Sequence, residues 1–160
     1  MTVTVDLDYL IPTLRMKLGD TDPATYRYLD AWLLTSLVTS VGALQRWWNF
    51  RYLVDPTTEE VYRNPDAAFT IEESEGVIQK SDEWPIVLMA AIIIKEGSLE
   101  SHAWNMGSWR DAEISYSNIS SGSMLEGSIR RDWDELNLYL KNPNKQLAFG
   151  GRVTILETNK

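Results

Sequence analysis

The chain holds a single histidine, His102, and no cysteine. An imidazole titrates near neutral pH and is the commonest general base, so His102 is the first candidate for catalysis. A nucleophilic site would also need a serine and a carboxylate brought to it by the fold. Serines are plentiful, but no Gly-x-Ser-x-Gly elbow is present. A lone histidine near a helix end more often caps or packs. Paired carboxylates come next: Asp6 with Asp8, Asp20 with Asp22, and the group Glu72, Glu73 and Glu75. Such groups can serve acid–base or metal chemistry. Both aspartate pairs stand where helices are expected to begin, so capping accounts for them, and no EF-hand loop or His-Glu-x-x-His is present. The three glutamates lie in a polar stretch and read as a solvated acidic loop. Gly150-Gly151 lacks the lysine and hydroxyl of a phosphate loop. Arg46, Arg51, Arg110, Arg130, Arg131 and Arg152 are dispersed among acidic neighbours. Aromatic residues beside Arg46 and Arg51 could stack on bases, yet they read better as holding a neighbouring helix. The sequence thus assigns no catalytic residue, no cofactor and no metal.

The bulk properties narrow the class further. With 160 residues, 44% hydrophobic and 24% charged, the chain is long enough for one globular domain with its own core. The lack of cysteine excludes disulfides and thiolate chemistry and fits a reducing compartment. A net charge of −8 offers no broad footprint for nucleic acid. Residues 1–5 have neither the basic nor the apolar region of a signal peptide. Seven Trp and seven Tyr make a large aromatic complement. Most of these rings should fill the core, with the surplus at interfaces.

The elements that must position these residues are organised around the run Trp84 to Ile94, the most apolar stretch in the chain. It is too short to span a bilayer. Asp82 and Glu83 precede it and Pro85 suits a first helical turn, so the reading is a central helix over 83–103, buried on most sides of its first half. The rival reading is a buried strand over 86–94, which Met89-Ala90-Ala91 disfavours. Residues 1–5 alternate as a short strand or arm. Asp6 can cap a first helix that carries Leu7, Leu10, Ile11, Leu14 and Leu18, with Pro12 forcing a late start or a kink and Gly19 closing it. Asp22 and Pro23 read as the start of a second helix running to about Tyr52. Leu29, Trp32, Leu33, Leu37, Val41, Leu44, Trp48 and Tyr52 would form its stripe over roughly 43 Å. Gly42 would mark a bend or a close contact. In this reading Trp32, Leu37 and Trp48 point inward and Trp47 toward a neighbour.

Residues 56–82 are acidic and rich in turn formers, with a possible strand at 69–71. A loop over 105–110 and a strand over 112–117 follow, then a polar turn at 118–122. Ser123 to Glu126 reads as a capping box opening a last helix over 124–140. Its apolar face is Ile129, Trp133, Leu136 and Leu140; Arg130, Arg131, Asp132, Asp134 and Glu135 form its wet face. Val153 and Ile155 alternate like an edge strand that needs a partner from elsewhere. The fold class is therefore mainly α: a small helical bundle with two long helices, a short strand and turn insertion, and extended termini. Residues 1–144 form the domain, with a connecting loop at 56–82, and 145–160 form a C-terminal tail.

Several short patterns recur in this layout. They are Leu14-x-x-x-Leu18-Gly19-Asp20, then Tyr28-Leu29-Asp30-x-x-Leu33, then Tyr52-x-x-Asp55, and Pro85-x-x-x-x-Ala90-Ala91 in the second long helix. With the order of the helices they resemble the head–tail connector, or adaptor, proteins of tailed bacteriophages, over most of residues 6–141. The resemblance implies a non-enzymatic virion protein at the head–tail neck, assembled in the host cytoplasm. Copies, commonly twelve, would form a ring that binds the portal protein on one side and a stopper or tail-completion protein on the other. DNA would pass through the ring without sequence-specific binding, and no membrane would be involved. By position, 22–54 and 83–104 would pack between subunits, with Trp47, Phe50, Arg51, Trp104 and Trp109 as interface candidates. Arg152, Val153, Ile155 and Leu156 would face the portal. Glu59, Glu60, Glu72, Glu73 and Glu75 would line the channel or a loop at its mouth, where negative walls repel phosphate. The alternatives are a tail terminator or other neck protein, and a small acidic helical enzyme such as a hydrolase.

Overall fold

The computed structural model describes residues 4–48, 51–67, 76–108 and 112–141, with backbone alone for 48, 102–108 and 112–121. The fold is mainly helical. It begins with strand β1 (Thr4–Val5), a 3-10 turn (Asp8–Leu10) and helix α1 (Ile11–Leu18). Asp6 accepts a hydrogen bond from the Asp8 amide at 2.9 Å, a local turn ahead of the helix. The cap positions fall at Leu7 and Leu10 without a side-chain bond, so Asp6 is not the cap of α1. Pro12 falls in the first turn of α1, which explains the late start. Gly19 ends the helix at φ +71°, a conformation costly for any residue with a Cβ.

Helix α2 spans Asp30–Leu44 and passes into a 3-10 turn over Gln45–Trp48. The expected rod is thus cut at both ends, to about 22 Å. At its start, the Asp20 carboxylate accepts hydrogen bonds from the amides of Arg27 and Tyr28. Asp22 does the same for Ala24 and for the Thr25 hydroxyl. These tight side-chain turns bind the amides that a helix from Pro23 would have used. At its end, Tyr52 belongs to a strand, β2 (Tyr52–Val54), which pairs with β3 (Val61–Arg63). The three-stranded antiparallel sheet has the order β1-β3-β2. Neither β2 nor β3 was legible as a strand, since three residues are too few to show alternation. Gly42 faces this sheet: a Cβ there would stand 3.9 Å from a Val54 methyl, an ordinary contact.

Helix α3 (Lys80–Ser108) takes the central apolar run, so helix rather than strand is correct, and it extends beyond 83–103 at both ends. Pro85 therefore lies inside the helix, past the position expected for it. The loop expected over 105–110 is helical as far as Ser108. Helix α4 (Ala112–Lys141) replaces the strand over 112–117, the turn over 118–122 and the capping-box start at Ser123. Alternation across so few residues fits either period, and α4 packs along α3, which supplies the tertiary contact that decides it. The possible strand at 69–71 and the tail at 145–160 lie outside the described residues.

The core joins Leu10 and Leu14 of the α1 region, Leu33, Leu37, Val41 and Leu44 of α2, Tyr52 and Val61 of the sheet, Ile86 to Leu88 and Ala90 to Ile92 of α3, and Leu136 of α4. Leu37 is fully buried as expected, whereas Trp32 is 64% exposed and does not enter the core. Trp32 stands about 100° around α2 from Leu33, off the buried line of Leu33, Leu37, Val41 and Leu44. Trp47 is 59% exposed, on the outside as expected. The Trp48 side chain lies outside the described residues. Among the described residues, no helix is long and apolar enough to cross a membrane.

The contrast within α2 is measurable. Leu37→Ala should lower unfolding stability in urea by about 3 kcal/mol, the usual cost of truncating a fully buried leucine. Trp32→Ala, by removing a mostly exposed ring, should cost under about 1 kcal/mol in the isolated subunit. Equal losses would place Trp32 in the core after all.

Candidate interaction surfaces and buried charges

Three charged clusters hold the elements together, and none was foreseen as a unit. The first is centred on Arg15 of α1, which is buried. Its guanidinium pairs with Asp20, pairs with Asp30 at 2.6 Å, and donates to the Tyr28 carbonyl at 2.9 Å. The Tyr26 ring lies 3.7 Å from the guanidinium carbon, a close cation–π contact. One arginine therefore fixes the whole segment 20–30 against α1. Hydrogen bonds from the Arg27 and Tyr28 amides, with Arg15 beside it, hold the Asp20 carboxyl below the usual aspartate range despite burial.

The second cluster joins α1, α3 and α4. Asp132 is buried and receives two lysines, Lys95 at 2.5 Å and Lys17 at 3.0 Å. Lys95 also donates to the Ser128 hydroxyl at 2.9 Å. Lys17 reaches Glu135 at 3.5 Å and lies 5.4 Å from the Trp84 ring centre. The indole of Trp84 donates to Glu135 at 2.7 Å, and that of Trp133 to Glu96 at 3.0 Å. The two lysines match Asp132 and Glu135 in formal charge, while Glu96 is held by the Trp133 indole alone. Asp132 was expected on the wet face of the last helix, and it is instead buried. The signal was present: Asp132 lies three residues after Ile129 and four before Leu136, squarely on the apolar stripe.

The third cluster ties the sheet to the start of α3. Asp82 is fully buried; it accepts from Arg51 at 2.8 Å and from the Tyr52 hydroxyl at 3.0 Å. That hydroxyl in turn accepts from the Gln79 amide at 2.9 Å. Burial pushes the Asp82 carboxyl above its ordinary range against the pull of Arg51, and burial also raises the Tyr52 phenol. Arg51, an interface candidate from the sequence, is therefore bound within the subunit. In all three clusters the buried carboxylates are paired with cations, which is the arrangement of structural ties.

The remaining sequence candidates are distributed as follows. Glu59 and Glu60 are exposed in the turn between β2 and β3, where Asp55 accepts from the Thr57 and Thr58 amides and Glu59 takes φ +58°. Trp47 is exposed in the 3-10 turn that follows α2. The side chains of His102 and Trp104 lie outside the described residues, as do Phe50, Glu72, Glu73, Glu75, Trp109, Arg152, Val153, Ile155 and Leu156. An unforeseen surface feature lies between α2 and α3. It is an open groove of about 390 Å³, lined by Tyr28, Trp32, Ile93, Ile94, Gly97 and Ser101 among others. Leu29 and Tyr26 are exposed on the same helix–turn region. Comparison with protein-family models, curated proteins and solved structures returned no match.

Asp20 gives a pH test with a definite sign. Its folded pKa is depressed, so its contribution to stability is present above the ordinary aspartate value of 3.8 and is lost as pH falls through the lower folded value. Asp20→Asn should therefore be less stable than the parent chain at neutral pH, with a smaller further loss in acid. Parallel acid-unfolding curves for the two proteins would show that Asp20 carries no such linkage.

Proposed function

We propose that this chain is a structural virion protein, an adaptor subunit that forms a ring between a portal and a tail or stopper protein and extends the DNA channel. The observation that carries the reading is the two-sidedness of α2. Leu33, Leu37, Val41 and Leu44 are in the core, while Leu29 and Trp32 are each 64% exposed. A tryptophan held open to water beside an apolar groove is surface that a neighbouring molecule can cover. Resemblance to the phage adaptors supplies the nature of that neighbour. Its motif residues occupy structural positions here: Leu14, Leu33, Tyr52, Ala90 and Ala91 are buried, and Gly19 and Asp20 form the corner after α1.

Within this reading, Glu59 and Glu60 at the tip of the β2–β3 turn face a hydrated channel mouth, together with Glu72, Glu73 and Glu75. Residues 145–160, with Arg152, Val153, Ile155 and Leu156, reach the portal. A tail terminator is the second virion reading. It would be favoured by a β-rich shell around a single helix, whereas the described sheet has three short strands. A small acidic hydrolase is the reading from another class.

Cryo-electron microscopy of assembled particles tests the proposal. A closed ring of this chain on the channel axis, of about twelve subunits, is expected. One copy per particle, or a two-fold dimer off the axis, would refute it.

A further inference from the structure

Two surfaces on opposite sides of α3 differ in charge and are both left uncovered. Lys95 and Glu96 of α3 face α4, where they bond Asp132 and Trp133. Ile93 and Gly97 stand about 160° around the helix from Lys95 and line the groove beside Trp32. On α4, the buried residues Ile129, Asp132 and Leu136 define the inward side. Met124, Gly127, Arg131, Asp134, Leu138 and Lys141 recur three or four apart on the side facing away, and all are exposed. Met124 is 75% exposed and Leu138 57%.

Charge separates the two surfaces. From Leu29 to Leu44 the sole charged residue is Asp30. Over 93–101 Lys95 is turned toward Asp132 and Glu96 toward Trp133, which leaves Glu100. Glu100 is exposed and makes no ion pair among the described residues. The stripe on α4 has the opposite balance, with Arg131 and Lys141 against Asp134. Arg131 is likewise exposed and makes no ion pair among the described residues. Gly97 and Gly127 both face open space, so neither holds an approaching helix away.

We propose that the groove between α2 and α3 receives the outward stripe of α4 from a second copy of this chain, with Arg131 of the stripe meeting Glu100 at the groove rim. The proposal rests on the ring reading and names its two faces. An amphipathic helix laid in an apolar groove is a recurrent recognition mode, read at spacings of three and four residues. Trp32 and the isoleucines give the apolar floor, Met124 and Leu138 the anchors, and Glu100 with Arg131 fixes the register. Because the faces differ, each copy joined in this way still offers one groove and one stripe. Such a contact propagates until rotation closes it into a ring.

The chain has no native cysteine, so thiols can be placed singly. Ser101→Cys marks the groove and Gly127→Cys marks the stripe, in separate full-length proteins treated with a flexible bis-maleimide. The mixture should give a cross-linked dimer in several-fold higher yield than either protein alone, and the doubly substituted chain should give a ladder. Adding Glu100→Arg to the groove protein should lower the mixed yield several-fold, and Arg131→Glu in the stripe protein should restore it. Circular dichroism of each variant verifies that the helices persist. A mixture no better than its components, or efficient cross-linking by one variant alone, overturns the proposal. The two readings fail separately. A ring in particles with no mixed cross-link removes this contact and keeps the adaptor. A mixed cross-link with rescue, but no ring in particles, keeps the contact and removes the adaptor.

Discussion

An apolar helix without a wet face must be covered on every side, and the first half of α3 sets that condition for the rest of the chain. Six of the seven residues from Ile86 to Ile92 are fully buried. Helix α2 covers one side with leucines and Val41, α1 adds Leu14, and α4 covers the side that carries Lys95. That last side is the difficult one, because the described half of α4 brings few buried apolar residues. The pairing of Asp132 with Lys95 and Lys17 offsets the deficit. Removing one partner of such a buried pair typically costs about 3–5 kcal/mol, whereas replacing the whole set by apolar residues can be neutral. The cluster therefore fixes where α4 docks more than it adds to stability.

The other two clusters act in the same way on the connections. Arg15 draws Asp20, Tyr28 and Asp30 to α1, and so sets the point where α2 can begin. Asp82, at the head of α3, takes both Arg51 and Tyr52, and so brings β2 beneath the helices. The aspartate, tyrosine and arginine brought together here are joints of the scaffold. What the scaffold leaves uncovered is Trp32 and its groove on one side and the outer stripe of α4 on the other, the two faces of the proposed contact.

Periodicity made the long elements legible. The helical character of α1, α2 and α3, the corner at Gly19, and the apolar faces of α2 and α4 all follow from spacings of three and four residues. The extent of α2 did not follow, because Asp22-Pro23 is as good a start for a tight turn as for a helix, and because Asp20 competes for the amides of Arg27 and Tyr28. The strand and turn expected over 112–122 fail for a related reason: serine, asparagine and glycine disfavour a helix only locally, and the segment is continuous with a long helix that contacts α3. The charged clusters were hidden by distance in sequence, since Arg51 and Asp82 are 31 residues apart and Lys95 and Asp132 are 37 apart. Even so, a charge on an apolar stripe, as at Asp132, is readable as one that needs a buried partner. Candidate interface residues were only partly legible: Trp47 is exposed, but Arg51 is committed internally, and the groove beside Trp32 arises from two helices that no single stretch contains.

Native-state hydrogen exchange of the full chain measures the dependence on α3 most directly. Amides over 86–92, covered by three helices, should exchange only through global unfolding, while those of α4 around Ile129 to Leu136 open at lower free energy. Slow exchange at 86–92 with faster, independent opening of α4 is the predicted result. Exchange at 86–92 as fast as in α4 would contradict the central place given to that helix.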